Sequence, residues 1–167
     1  MDVYDIYNIG ISFDDFVNND EDTYRDKTLE IYNSLKFSNK LIEKIKSIDK
    51  NIKVLVCAEI WCPDCMINVP VLKKMQDYNK NIQISIVKKE GNENFFKYYS
   101  ISDSIKIPTF IFYDDKFNKL GSFIEYPKKI KDVVSKGNQS RIIVTKRKYR
   151  KGEYAQETLK DILNIIL

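Results

Sequence analysis

The spacing of apolar residues changes near residue 50. Before it, apolar side chains recur at intervals of three and four, which predicts helices, with Ser12 and Ser38 as candidate N-caps. After it, short apolar runs alternate with helical stretches, a pattern typical of α/β proteins. We therefore predict a helical extension over residues 1–50, followed by an α/β domain over residues 51–167.

The second segment opens with a run of apolar, β-branched residues that is typical of a buried strand in a parallel sheet. The predicted strands cover residues 52–58, 82–87, 108–113 and a stretch ending near 124. The predicted helices cover residues 63–78, 92–99, 127–134 and a C-terminal stretch around 159–166. The turn Asp114-Asp115-Lys116 makes the last two strands an antiparallel hairpin. Residues 141–150 fit a strand or a helix, and the two-turn separation of Ile142 and Tyr149 favours a helix.

Composition narrows the possible chemistry. The chain has no histidine, which excludes Ser-His-Asp hydrolases, Cys-His proteases and His-ligated metal sites. Three cysteines are too few for a disulfide-stapled secreted scaffold or a four-ligand zinc site. No apolar run reaches the length of a membrane span, and the acidic N-terminus lacks the basic start of a secretory signal. We expect a cytoplasmic protein that works without a metal, a cofactor or a membrane partner.

Charge is distributed unevenly along the chain. Residues 1–126 carry 17 basic and 20 acidic side chains, a net charge of −3, whereas residues 127–167 carry 11 basic and 4 acidic, a net charge of +7. Such a basic segment is most often a solvated helical face. The alternative is contact with an acidic partner or with nucleic acid through residues 146–151. Nucleic-acid binding is the less favoured prediction, and it would require strong salt dependence.

Two cysteines stand three residues apart at the predicted start of the helix that follows the first strand. This spacing can bring the sulfurs of Cys62 and Cys65 within bonding distance. Free N–H groups and the helix dipole stabilise a thiolate at a helix N-terminus, so Cys62 is the candidate attacking thiol and the more covered Cys65 the resolving thiol. Pro63 suits the first helical position. The charge of Asp64 is expected to raise the pKa of Cys62.

The segment Trp61-Cys62-Pro63-Asp64-Cys65, placed after a buried strand, resembles the active site of the thioredoxin superfamily. Pro70 falls where that family has a helix-kinking proline, and Ile107-Pro108 opens a later strand where the family has its cis-proline loop. The resemblance covers about residues 50–126, and the helical leader is more loosely similar to a bacterial subgroup with an N-terminal helical extension. It implies a thioredoxin-like fold with a mixed central sheet flanked by helices, and a cis bond before Pro108. Substrate contacts are implied for Trp61, Pro63, Asp64, Ile107 and Pro108, with the backbone of Ile107 pairing with a substrate strand.

The chain departs from the family pattern near the second cysteine. The family keeps a buried carboxylate six residues before the first cysteine, as proton acceptor for the second, and here that residue is Val56. Glu59 lies nearby and is the candidate proton relay for Cys65, although its place along the strand points it to the other side. Pro-Asp also replaces the usual Gly-Pro between the cysteines, as in cytosolic members that are narrower in substrate than general thioredoxins.

Together these features predict a cytosolic thiol–disulfide oxidoreductase. It would reduce disulfides of proteins or small thiols through Cys62 and Cys65. Electrons would come from a thioredoxin-reductase-like partner or a low-molecular-weight thiol, since no cofactor-binding motif is visible. The alternative, motivated by Val56 and the helical leader, is a thioredoxin-fold binding or regulatory module with little redox turnover.

Overall fold

A computed structural model describes residues 2–19 and 23–167 of the chain. The helices are α1 (Val3–Asn8), α2 (Phe13–Asn18), α3 (Thr23–Ser34), α4 (Asn39–Lys46), α5 (Pro63–Tyr78), α6 (Glu93–Phe96), α7 (Lys128–Ser135), α8 (Gln139–Arg150) and α9 (Ala155–Ile166). The strands are β1 (Ile52–Cys57), β2 (Ile82–Val87), β3 (Thr109–Tyr113) and β4 (Lys119–Ile124).

The four strands form one mixed sheet in the order β2-β1-β3-β4. Strand β1 runs parallel to β2 and antiparallel to β3, and β3 pairs antiparallel with β4 as the predicted hairpin. Helices flank this sheet and a helical segment precedes it, which confirms the predicted fold class.

Strand β1 is buried on both faces of the sheet. Val54 and Val56 lie in the larger hydrophobic cluster, together with apolar residues of α5 and α9. Leu55 and Cys57 lie in a second cluster that includes Ile6 of α1. Successive side chains of a strand point to opposite faces. Because helices cover both faces, the strand is apolar at nearly every position, and its end is held firmly under the cysteine loop.

The N-terminal segment is packed onto the same sheet. The N–H and C=O of Ile11 pair with the C=O and N–H of Ile86 in β2, at 2.8 and 2.9 Å. The Tyr7 hydroxyl donates a hydrogen bond to the C=O of Gln83 at 3.1 Å. Residues of α2, α3 and α4 belong to the larger hydrophobic cluster. The division at residues 50 and 51 stays a prediction, since both segments contribute to one core.

The structure agrees with most of the predicted boundaries. Helix α5 and strand β2 have the predicted ends, and residues 141–150 lie in a helix. Ser12 caps α2 by accepting a hydrogen bond from the N–H of Asp15 at 3.1 Å. Ser38 occupies the N-cap position of α4 without a side-chain cap hydrogen bond. No helix in the described ranges is long and apolar enough to cross a membrane.

Two elements differ from the sequence expectation. The sequence analysis did not single out the six-residue helix α1. The helix predicted over residues 92–99 has nearly the predicted extent but two forms. The α-helix α6 is followed directly by the 3₁₀ turn Lys97–Tyr99.

Candidate active site

The two cysteines lie where the sequence places them, at the start of α5 directly after β1. Cys62 is the N-cap of the helix and Pro63 is its first residue. The Cys62 side chain keeps a small exposed fraction of 6%, whereas Cys65 is fully buried. Both are free thiols, as is Cys57. The partly accessible thiol is therefore the one at the helix N-terminus, and the Cys65 thiol lies in the core.

The environment of Cys62 favours its thiolate. The hydrogen bond from the Cys65 thiol lowers the pKa of Cys62, and the backbone N–H groups of Cys65 and Asp64 lower it further, while burial and the charge of Asp64 oppose them. The net direction is downward. Burial raises the pKa of Cys65 well above its usual range, so Cys65 keeps its proton over the pH range in which Cys62 ionises. The pair can thus hold one nucleophile and one protonated reserve thiol.

The loop before β3 lies directly opposite the cysteines. The bond between Ile107 and Pro108 is cis, as the sequence predicted. The protonated Cys62 thiol donates a weak hydrogen bond to the C=O of Ile107, with 3.6 Å between sulfur and oxygen. This contact places Ile107 and Pro108 beside the Cys62 thiol.

Trp61 and Pro63 line separate hollows beside Cys62. Trp61 is 56% exposed and lines a hollow of about 280 Å³ with Ile11 and Phe16 of the N-terminal segment. Pro63 lines a second hollow, of about 160 Å³, on the α8 side, together with Arg150. The structure thus places a flat apolar surface on one side of the thiol and basic side chains on the other.

Asp64 is turned away from the cysteine and toward α8. Burial raises the pKa of Asp64, while a hydrogen bond from the Tyr149 hydroxyl and the charges of Arg150 and Lys146 act in the opposite direction. The expected effect of Asp64 on Cys62 is present, because its charge raises the pKa of Cys62. That expectation is confirmed in its direction, and the hydrogen bonds to the thiolate outweigh the effect.

Asn68 links the cysteine helix to the C-terminal helices, and the sequence analysis did not find it. It is fully buried, and its amide nitrogen donates to the Tyr149 hydroxyl at 2.6 Å and to the C=O groups of Asp64 and Glu125 at 3.0 Å each. Its amide oxygen accepts from the Thr158 hydroxyl at 2.8 Å. Because Asn68 donates to Tyr149, the tyrosine proton is free to bind the Asp64 carboxylate. An asparagine within the apolar run of residues 65–72 is the signal that could have indicated it.

The carboxylate of Glu59, the candidate proton relay, is bound to the backbone of Lys89. A carboxylate oxygen of Glu59 accepts a hydrogen bond from the N–H of Lys89 at 2.9 Å. It is the backbone N–H of Glu59 that reaches the Cys65 sulfur. Val56 is fully buried, as expected for its strand position. The role of Glu59 as proton relay stays a prediction.

Cys57 is the third cysteine and lies in β1, away from the helix start. Burial raises the pKa of Cys57 to about 12, which fits a packing residue rather than a reactive thiol. Within residues 2–19 and 23–167, no three cysteine or carboxylate side chains come together as potential metal ligands. The chemistry that the described residues assemble is that of two thiols.

Comparison with known proteins identifies the family. A family model described as thioredoxin matches residues 10–145. The chain belongs to the thioredoxin family. A search of curated proteins found no match. A crystal structure of a protein of unknown function from Pseudomonas aeruginosa has 28% sequence identity and a TM-score of 0.87, over 99% of this chain and 97% of that one. An HIV epitope-scaffold structure has 27% identity and a TM-score of 0.86, over 99% and 98%.

This thioredoxin-family protein shares its N-terminal helical extension with those two structures. Both matches extend over 99% of the chain and so include the N-terminal helices. The superfamily assignment made from the cysteine motif is confirmed. The Pseudomonas aeruginosa protein is of unknown function.

The pH dependence of alkylation tests the thiolate environment of this thioredoxin-family site. The rate of reaction of Cys62 with iodoacetamide should fall as the pH decreases, because the thiolate is the reacting form. Because the pKa of Cys62 is lowered, the midpoint, the pH at which this rate is half its maximum, should lie below that of an ordinary cysteine. Asp64→Asn removes a nearby negative charge, so the midpoint should move to lower pH and the rate below the midpoint should rise severalfold. Mass spectrometry of the alkylated peptides gives the rate at each cysteine.

The matched control is Asp49→Asn, which makes the same change in charge at the opposite end of β1, away from the cysteines. It should leave the midpoint where it is in the parent protein. A Cys62 midpoint at or above that of an ordinary cysteine would contradict the described environment.

Proposed function

We propose that this thioredoxin-family protein is a cytosolic thiol–disulfide oxidoreductase that reduces substrate disulfides. The observation that carries the proposal is the pair of unlike thiols. Cys62 caps α5 with its pKa lowered by the Cys65 thiol and backbone N–H groups, above a Cys65 that burial keeps protonated. Such a pair suits stepwise two-electron exchange.

The proposed reaction has two steps. The Cys62 thiolate attacks one sulfur of the substrate disulfide, which forms a mixed disulfide and releases the other substrate sulfur as a thiolate. Cys65 then loses its proton and attacks the Cys62 sulfur, which closes the Cys62–Cys65 disulfide and releases the second substrate thiol. The substrate gains two electrons and the cysteine pair loses two. A dithiol of a thioredoxin-reductase-like partner, or a low-molecular-weight thiol, would reduce the pair again.

The substrate would lie across the mouth of the site. In this proposal its backbone pairs with Ile107 beside Pro108, in place of the weak bond from the Cys62 thiol. Trp61, Pro63 and Asp64 contact its side chains. Glu59 is the proposed acceptor for the proton of Cys65, and to act so its carboxylate must exchange the N–H of Lys89 for a path to the sulfur.

A redox titration tests the proposal. Trp61 is the single tryptophan and is next to Cys62 in sequence, so its fluorescence should report the state of the cysteine pair. Equilibrium with dithiol buffers should give one reversible two-electron transition in the reducing range, absent in Cys65→Ser. A transition only under harsh oxidant, or none, would contradict the proposal.

Buried Val56 favours a second candidate function. Without a carboxylate at that position, the proton of Cys65 has no obvious acceptor inside the core. A thioredoxin-fold binding or regulatory module would not need one. In that case Cys62→Ser would leave partner binding and the cellular phenotype unchanged.

A further inference from the structure

Helix α8 presents a basic surface to solvent. Residues 139–151 contain six basic side chains and no acidic one. An open depression of about 490 Å³ lies on this helix, and we call its lining the α8 basic surface. It is formed by Ile143, Lys146, Arg147, Arg150 and Lys151. No carboxylate is part of it, and Ile143 adds an apolar contact that is 58% exposed.

The α8 basic surface adjoins the cysteine site. Arg150 also lines the hollow that contains Pro63, the residue that follows Cys62 in sequence. Lys146 and Arg150 line a further hollow with Asp64. The buried side of the helix is fixed by Tyr149, which Asn68 of the cysteine helix binds at 2.6 Å. A chain whose disulfide reaches Cys62 can therefore extend onto the α8 basic surface without leaving the protein.

The positive charge of this surface is not neutralised locally by ion pairs. Within residues 2–19 and 23–167, no ion pair involves a basic residue of α8. The lysines that form ion pairs there are Lys46, Lys73, Lys80, Lys129 and Lys160. Lys146 and Arg150 act on the partly buried Asp64 at longer range. Arg147 and Lys151 are exposed and lie on the outer part of the surface. An exposed cluster of one sign raises the local concentration of ligands of the opposite sign.

We propose that the α8 basic surface docks acidic residues that flank the disulfide of a protein substrate. This inference rests on the proposed reductase function, because it assigns a substrate class to the same site. The acidic side chains pair with Lys146, Arg147, Arg150 and Lys151 while the substrate disulfide lies at Cys62. The substrate is thus an acidic polypeptide segment with an accessible disulfide.

A nucleic acid fits this surface less well. Proteins that bind single strands combine basic groups with exposed aromatic rings on which bases stack. The aromatic residue of α8 is Tyr149, which is only 3% exposed and is engaged by Asn68. A disulfide-containing polypeptide, unlike a nucleic acid, can also react with Cys62 while it contacts the basic surface.

The experiment compares two peptides of equal length, each with one internal disulfide, flanked by four glutamates in one and by four lysines in the other. The reduced full-length protein should reduce the acidic peptide about tenfold faster or more at low ionic strength, and added salt should bring the two rates together. Arg147→Glu with Lys151→Glu should abolish or invert the rate ratio. A ratio between peptides cancels any effect that a variant has on the thiol itself.

The matched control is Lys40→Glu with Lys44→Glu, which makes the same change in net charge on exposed positions of α4. It should leave the rate ratio unchanged. Equal reduction of both peptides, or a ratio lost equally in the control variant, overturns the docking proposal while the reductase function stands.

Binding separates the remaining outcomes. A fluorescent acidic peptide without cysteines should bind the parent protein at low salt and lose at least about tenfold in affinity in the Arg147→Glu, Lys151→Glu variant. If neither disulfide peptide is reduced, the reductase proposal fails, and this binding decides the docking proposal alone. Tighter binding of a single-stranded oligonucleotide than of the acidic peptide, lost in the same variant, overturns the assignment to acidic polypeptides.

Discussion

Replacement of Cys62 by serine is expected to abolish disulfide reduction, with turnover falling about a thousandfold or more because no second nucleophile is available. Cys57 cannot replace it, since burial raises the pKa of that thiol to about 12. Cys65→Ser should instead stop the reaction after its first step. The mixed disulfide between Cys62 and the substrate then accumulates, and mass spectrometry of the intact protein measures it.

Cys57→Ala provides the control for the loss of a cysteine outside the site, and it should retain turnover.

The same assay tests the role of Glu59 as the proton relay for Cys65. Glu59→Gln keeps a side chain that can accept from the N–H of Lys89 but removes the carboxylate base, so the second step should slow while the first is unchanged. Turnover that survives in Cys62→Ser would rule out the proposed mechanism.

The second large effect concerns stability. Asn68→Ala should lower the free energy of unfolding by about 3 kcal/mol, because it leaves buried oxygens of several elements without their donor. These belong to Tyr149 and Glu125, and the Thr158 hydroxyl loses its acceptor. Urea denaturation followed by circular dichroism gives the value, and an unchanged m-value would show that the unfolding reaction itself is the same.

Thr158→Val is the graded comparison, since it removes a single hydrogen bond of the same network at similar volume. It should cost about 1 kcal/mol. If Asn68→Ala lowers the free energy of unfolding by less than Thr158→Val does, the network does not hold α5 against α8 and α9. The hydrogen bond between Asn68 and Tyr149 would then not be what keeps the α8 basic surface next to Cys62.

The local features of the site could be predicted from the sequence, because they depend on neighbours in the chain. The strand before the motif, the helix start at Pro63 and the unlike burial of Cys62 and Cys65 follow from apolar spacing and helix-end chemistry. The position of the Ile107-Pro108 loop came from the resemblance to a family rather than from spacing. Both kinds of inference used short segments whose structure is largely local.

The features that were missed depend on contacts between distant parts of the chain. Asn68 meets Tyr149 across 81 positions and Thr158 across 90, and no periodicity encodes such pairings. The influences on Cys62 were predicted in part. The N–H groups of the helix end and the charge of Asp64 follow from the sequence, whereas the hydrogen bond from the Cys65 thiol is a contact of the folded site. Sequence reasoning therefore found the two thiols and missed the buried contacts that hold the cysteine helix in place.

The pairing of Ile11 with Ile86 affects how the protein behaves at high concentration. Strand β2 is at one edge of the sheet, and the free N–H and C=O groups of such an edge can recruit strands of other molecules and start aggregation. Ile11 uses both polar groups of Ile86, and Tyr7 takes the C=O of Gln83. By occupying these groups, the N-terminal helical segment covers this edge of the sheet. It thereby limits self-association through β2, independently of any redox chemistry.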